Sequence, residues 1–349
     1  MFSCYGRIAA GAACLVACSG AAADDGRSPL GADAAGDART DLDAAEDAGE
    51  EDLGCSVPGC TGVCALRRCL VTIAQSSSPA AIALGPASVY FTSCVQGAGD
   101  GGLVLGVGIG GGSPTTLASG PGCPVSLAAG ASSLFVAGLD FGGIASVPLA
   151  GGTATTLASG DAAPIGLAID GASVYWTSSD LAVRKVPIGG GPTTVLASCQ
   201  KSCTPPVVDG TNVYWGDPSA GVVESVPLGG GATATVTSAA AVTALAIHAG
   251  VLYLASGYLL MRVPVSGGPA ATLSTAAGAP VGAVVADDAN VYFTSYADVW
   301  RVPLSGGVPL AIASSQGAPL ALALDATSLY WVDDAGGSPG GQVIKLTPK

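Results

Sequence analysis

Short apolar runs separated by glycine and aspartate recur along most of this chain. In residues 163–198 they occupy Ile165–Ile169, Val174–Ser178, Ala182–Ile188 and Thr193–Ala197. Each has the length and β-branched or aromatic content of a strand. Asp170-Gly171 and Gly189-Gly190-Gly191 lie between them and supply the positive φ that tight hairpin turns need. The unit predicts four antiparallel strands, A to D. Pro187 falls inside strand C, with Pro148, Pro227, Pro264 and Pro303 in the same place of other copies. Such a proline cannot donate to the ladder, so a bulge or an outward-facing donor is expected there.

Aligned on the aromatic pair, the copies centre on Tyr90-Phe91, Phe135-Val136, Tyr175-Trp176, Tyr214-Trp215, Tyr253-Leu254, Tyr292-Phe293 and Tyr330-Trp331. The steps are 45, 40, 39, 39, 39 and 38 residues. A period near 40 with four strands per unit predicts an all-β, seven-bladed β-propeller of four-stranded antiparallel blades over residues 69–349. The last copy ends without a strand D, and Cys69–Gln75 resembles the strands that end other copies. That segment is expected to pair with the final strand C and close the ring, so that no blade keeps an open seam. Antiparallel order puts the A–B and C–D turns on one face, here the first face, and the B–C and D–A loops on the other, the outer face. The longest B–C loops, 94–102 and 333–341, belong to blades one and seven.

Charge redraws the N-terminal part. The formal net charge is -13, but residues 19–54 hold eleven Asp or Glu against two Arg. That segment has few large apolar side chains and reads, as residues 18–54, as a disordered acidic tether. Without a basic patch interleaved with aromatics, nucleic acid is not an expected partner. Residues 1–17 carry Arg7 and then a short apolar run, too short for a permanent membrane span, and read as an export signal. Leu15-Val16-Ala17-Cys18 resembles the bacterial lipobox. That resemblance implies a lipid on Cys18 and a lipoprotein on a membrane surface; with Ser19 next, it points to the outer membrane of a Gram-negative cell.

Eight Cys follow Cys18, an even number suited to an oxidising compartment. Cys55, Cys60, Cys64 and Cys69 form a dense collar over residues 55–68 and its border. Two disulfides are expected there, with three connectivities open; the spacing departs from the two-residue pairs of most zinc knuckles. Cys199–Cys203 suits a local disulfide, and Cys94–Cys123 a clamp on blade one. The tether and collar are expected on the first face.

The Tyr-Trp-Thr-Ser core followed by Val183-Arg184-Lys185-Val186-Pro187-Ile188 resembles the YWTD-type propeller repeats of low-density-lipoprotein-receptor relatives, and also bacterial TolB-like and NHL-like propellers. The resemblance implies binding and scaffolding more often than chemistry. This chain has seven copies where the YWTD class has six. The closing Asp of the motif stands only at Asp217 and Asp333, with Ser93, Ser178, Ser256, Ser295 and Gly138 elsewhere.

The A strands, which surround the channel, are apolar, and no catalytic constellation stands out. His248, the single His, takes the strand-end place of Asp170, Asp209, Asp287 and Asp325 and reads as a turn residue. Glu224 on a C strand reads as a solvated side chain. Six of the seven B–C loops carry an acid: Asp100, Asp140, Asp180, Asp217, Asp298 and the pair Asp333/Asp334. Turn chemistry explains such residues; a carboxylate ring binding Ca²⁺ or a basic partner is the sharper alternative. No resident cofactor is expected. The expected function is a monomeric, membrane-anchored, non-enzymatic module that binds a protein or glycan through its outer-face loops. The alternatives are an envelope-assembly subunit and a propeller hydrolase or lyase.

Overall fold

The computed structural model describes residues 60–65, 68–94, 101–138, 142–160, 162–276, 279–334 and 340–349. The export signal, the tether with Cys18, Cys55, Asp100 and Asp140 lie outside the described residues, as does most of the two longest B–C loops. The described chain is strand and turn arranged as seven antiparallel sheets, six of four strands and one of five. Blade three is representative. Pro164–Ile169, Ser173–Ser178, Ala182–Pro187 and Thr194–Ser198 pair in that order, within a residue of the expected bounds. The first strand of each blade adjoins that of the next, and the seventh adjoins the first, which closes the ring around a channel. The fold is a seven-bladed β-propeller.

Closure follows the strand deficit of the last copy. Arg68–Ser76 pairs antiparallel with Gly341–Thr347, Cys69 opposite Thr347 and Ser76 opposite Gly341. Within the expected collar the Cys60–Cys69 disulfide belongs to one of the three open connectivities, and Val63–Ala65 adds a fifth strand outside Arg68–Ser76 that the sequence did not announce. Two further disulfides join Cys94 to Cys123 and Cys199 to Cys203.

Blades are buried on both faces. Val174, Tyr175, Trp176, Val183 and Val186 are each at most 2% exposed, and they divide between the seams toward blades two and four. The repeated proline comes after the last C–D pair of its blade: Lys185 pairs with Thr194, whereas Pro187 pairs only with Ser173 of strand B. Its missing donor therefore costs no ladder bond.

Every blade carries a β-bulge between strands C and D, and the unpaired residue on D is apolar each time: Ile73, Leu117, Leu157, Leu196, Val236, Leu273 and Ile312. In six seams the C–D turn of the following blade sits against this residue; Ile312 is the exception, because strands C and D of blade seven come from the two ends of the chain and no turn joins them. Gly306, at φ +88°, lies so close that an added Cβ would come within 2.8 Å of the Leu273 carbonyl oxygen, and Gly307 N–H donates to that oxygen at 3.2 Å. The same bond joins Gly112 to Ile73, Gly152 to Leu117 and Gly268 to Val236. Long cations add a second link on the first face. Lys185 Nζ donates to the Leu228 carbonyl at 2.6 Å, Arg262 to Leu304 at 2.5 Å and Lys345 to Ile109 at 3.3 Å, each in the next blade.

The seam makes two glycines of similar turns behave differently. Gly306→Ala forces a side chain into a left-handed backbone and against Leu273, and should destabilise by about 2–3 kcal/mol. Gly189→Ala meets nothing within 4 Å and has ordinary φ. It should change stability by no more than about 1 kcal/mol, in the favourable direction. Urea denaturation of the two variants measures the contrast.

Candidate functional site: the outer face and its loops

The end of strand B sets how each outer-face loop is held. Asp217 is fully buried and accepts from the Lys201 N–H at 2.7 Å, the Ala220 N–H at 2.9 Å and the Ser202 hydroxyl at 3.0 Å. Asp333 accepts from the Gly317 N–H at 2.9 Å and the Ala318 N–H at 2.6 Å. Where the motif has Ser, the polarity of the bond reverses. Ser256 donates to the Ala240 carbonyl at 2.5 Å and Ser295 to the Ala279 carbonyl at 2.9 Å. Asp217, Asp333, Ser256 and Ser295 all reach 16 residues back, to the loop that enters the same blade. In blades four to seven the motif position is thus a staple between strand B and the preceding D–A loop; in blade three Ser178 instead donates within its own hairpin, toward Asp180 Oδ1 at 2.8 Å and the Ala182 carbonyl at 3.2 Å.

The other described acids of the expected ring are also engaged. Asp180 is gripped by the Arg184 guanidinium at 2.8 and 2.5 Å, which holds its carboxyl well below the usual carboxylate range. Asp298 accepts one bond, from the Ser315 N–H at 3.2 Å. Burial alone would raise the Asp217 pKa, but its three donors outweigh that and leave it lowered. Asp334 goes the other way: burial, and to a smaller degree the neighbouring Asp333, raise its pKa against a hydrogen bond from Ser78. Among the described residues, no three His, Cys, Asp or Glu side chains gather as a metal cluster.

Glu224 corrects the reading of a solvated side chain. It is 6% exposed, faces blade three and accepts from Gln200 Nε2 at 3.0 Å. Strand C lies inside the blade stack, so both of its faces are covered, and the half-buried pattern of an ordinary antiparallel sheet does not apply. His248 also reaches farther than a local turn bond. Its Nε2 lies 2.8 Å from Asp288 Oδ1 of the next blade, on the first face.

That first face is held by four copies of one clasp, which sequence reasoning missed as a unit. Asp170 Oδ1 accepts the N–H groups of Ala172 and Ser173 at 2.7 and 2.6 Å, while its Oδ2 accepts the Tyr175 hydroxyl at 2.8 Å. Asp209 with Tyr214, Asp287 with Tyr292 and Asp325 with Tyr330 repeat it. The fixed Asp-to-Tyr spacing of five residues was the signal. In blades one and two the place is Gly85 or Gly130, where a Cβ would come within 2.9 Å of the Tyr90 or Phe135 ring.

The channel mouth on the outer face is mostly apolar. Strand A carries a bulge in blades one, three, five, six and seven, and Ala80, Ile165, Thr243, Gly282 and Leu320 stand unpaired at its outer-face end. Among the described residues, the most exposed aromatic side chains are elsewhere on this face. Tyr258 and Tyr296 are 54% and 85% exposed at the B–C turns of the neighbouring blades five and six. Tyr296 sits at φ +54°, a left-handed backbone that favours glycine or asparagine.

Solved structures share this architecture. The chain is similar to a streptogramin B lyase, with a TM-score of 0.65 and 12% identity over 81% of this chain and 98% of that one. It is also similar to a computationally designed protein, Ika8, at 0.55 and 14% over 78% and 98%. BamB from Moraxella catarrhalis gives 0.52 and 15% over 76% and 85%. At these identities the likeness is one of fold. No family model matches the chain, and no curated protein does.

Two predictions follow from the staples and clasps. Asp217→Ala removes a fully buried charged acceptor of three loop bonds and should destabilise by roughly 2–3 kcal/mol, whereas Asp298→Ala should cost under about 0.5 kcal/mol; thermal melts distinguish them. The clasp Asp pKa values are lowered: burial opposes the shift, and backbone and side-chain donors dominate it. At Asp287 the Lys349 ammonium adds to the same direction. Their contribution is present above the unfolded value of about 4 and is lost as pH falls through the lower folded value. Burial first, and then the Asp partner, push Tyr175 and Tyr292 up to about 12. That contribution is present below about pH 10 and is lost as pH rises through the folded value. Stability should therefore be flat between about pH 5 and 9 and fall on both sides. Tyr175→Phe should lower the plateau and flatten the alkaline limb.

Proposed function

We propose that the chain is an exported propeller lipoprotein, held to a membrane surface through Cys18, whose outer face binds a protein partner without chemistry of its own. The observation that carries this reading is the pair Tyr258 and Tyr296. A tyrosine held at positive φ at a hairpin tip costs on the order of 1 kcal/mol. Tyr296 is 85% exposed, so burial gives little of that back. Exposed, rigid tyrosines are the side chains that dominate protein interfaces, and they lose little conformational freedom on binding.

Other features support the reading. The disulfides Cys60–Cys69, Cys94–Cys123 and Cys199–Cys203 suit an oxidising compartment outside the cytoplasm. The loop staples hold the outer face in shape before any partner arrives, which lowers the ordering cost of association. The small and apolar residues at the channel mouth favour binding over acid–base chemistry.

Affinity capture from envelope extracts with the full chain as bait tests the proposal. Wild type should retain a defined protein partner, and the Tyr258→Ser/Tyr296→Ser double variant should lose it by about 100-fold in affinity, in line with hot-spot truncation, with an unchanged melt. Equal capture by both proteins would contradict the outer-face assignment. Metabolic labelling with a radioactive fatty acid, lost in Cys18→Ser, tests the anchor separately.

A further inference from the structure

We propose that a cleft between blades six and seven binds a neutral, hydroxyl-rich ligand the size of one monosaccharide unit. It opens on the outer face and runs down the perimeter along the side of blade seven that faces blade six. Its volume is about 280 Å³, at the lower end of the roughly 300–1,000 Å³ of small-molecule sites. The size suits a single sugar ring.

The polar wall is built from Thr72, Gln316, Asp333 and Gln342. Thr72 Oγ1 donates to Gln342 Oε1 at 2.6 Å. That bond orients the side-chain amide of Gln342 and leaves its two N–H groups as donors. Gln316 donates from Nε2 to the Ser314 carbonyl at 3.0 Å, which leaves its own carbonyl oxygen as an acceptor. Each oxygen of Asp333 accepts one loop N–H and keeps acceptor capacity beyond it. The cleft therefore offers donors and acceptors side by side. A hydroxyl both donates and accepts, so a polyol can match such a wall at several points.

Val63, Leu70 and Ile344 line the rest. A pyranose carries C–H groups on its ring faces, and an apolar wall opposite polar groups suits that division. Val63 stands on the added fifth strand that the Cys60–Cys69 disulfide ties down, so this wall is fixed in place. Among the described residues, the lining contains a carboxylate and no Lys, Arg or His. Phosphates and sugar acids would meet an uncompensated negative charge, which makes the site selective against anions. The cleft adjoins the Tyr296 turn, whose Ala297 carbonyl accepts the Gln316 N–H at 2.7 Å, but neither Tyr258 nor Tyr296 is among its lining residues.

Calorimetric titration of the full chain with methyl glycosides of glucose, galactose, mannose and N-acetylglucosamine tests the proposal. At least one should saturate in the millimolar range, and glucuronate and inorganic phosphate should not bind. Gln342→Ala and Gln316→Ala, both in partly exposed positions, should each weaken that binding about tenfold or more, because each leaves a ligand hydroxyl unmatched. Tyr296→Ser should leave it unchanged. No saturation by any neutral glycoside up to tens of millimolar would overturn the assignment. So would unaltered affinity in both glutamine variants, or preferential binding of either anion.

Discussion

The contact on which the architecture depends is the one between a bulged apolar residue on strand D and the glycine turn of the next blade. A four-stranded sheet cannot by itself bury both of its faces. Stacking seven of them does so only if every seam has the same spacing and tilt. The bulge lifts one apolar side chain per blade out of the ladder register, and the Gly-Gly turn that follows has no Cβ to prevent the approach. In four seams the turn also donates an N–H to the bulged residue's carbonyl. The cations that cross the seam on the first face add to this contact, and the Asp–Tyr clasps shape the turns from which it is made.

With the seams fixed by backbone geometry, the two faces are free to differ. The first face carries the repeated elements, namely clasps, glycine turns and cation links. The outer face carries the elements that vary from blade to blade. There, the last residue of strand B chooses between Asp and Ser and so chooses whether a loop is held by its N–H groups or by its carbonyl. Asp217 and Ser256 occupy equivalent places in blades four and five and staple equivalent loops with opposite hydrogen-bond polarity. Carboxylates that look like a ring of ligands in the linear sequence are taken up by stapling at Asp217 and Asp333 and by the Arg184 guanidinium at Asp180. The surface that remains for partners is made by Tyr258 and Tyr296 and by the cleft beside blade seven, where Asp333 serves both as a staple and as part of the polar wall.

The blade count and the closing strand were legible because strand period and turn chemistry repeat, and a missing strand shows against seven aligned copies. Other features were hidden for physical reasons. A register shift leaves no mark in an alternating pattern, so the bulges at Leu196 and Leu273 could not be read. Val63–Ala65 is too short to stand out as a strand, and cysteine spacing does not reveal that Cys60 pairs with Cys69. Glu224 was misread because a polar residue on an antiparallel strand normally faces water, whereas inside a propeller both faces of the strand meet neighbouring blades. Tyr296 lies outside the repeated aromatic pair, and only the turn geometry shows that it is held out in solvent.

The claim that the ring is closed through the blade shared by Arg68–Ser76 and Gly341–Thr347, whose seam with blade six has no glycine turn, is tested most directly by native-state hydrogen exchange on the full chain. The ladder amides of the shared blade should exchange with the same protection as those of blades three to six, in a single cooperative unit. Exchange of the shared blade at a rate orders of magnitude faster, while the other blades stay protected, would mean that the ring is open there and would contradict the account.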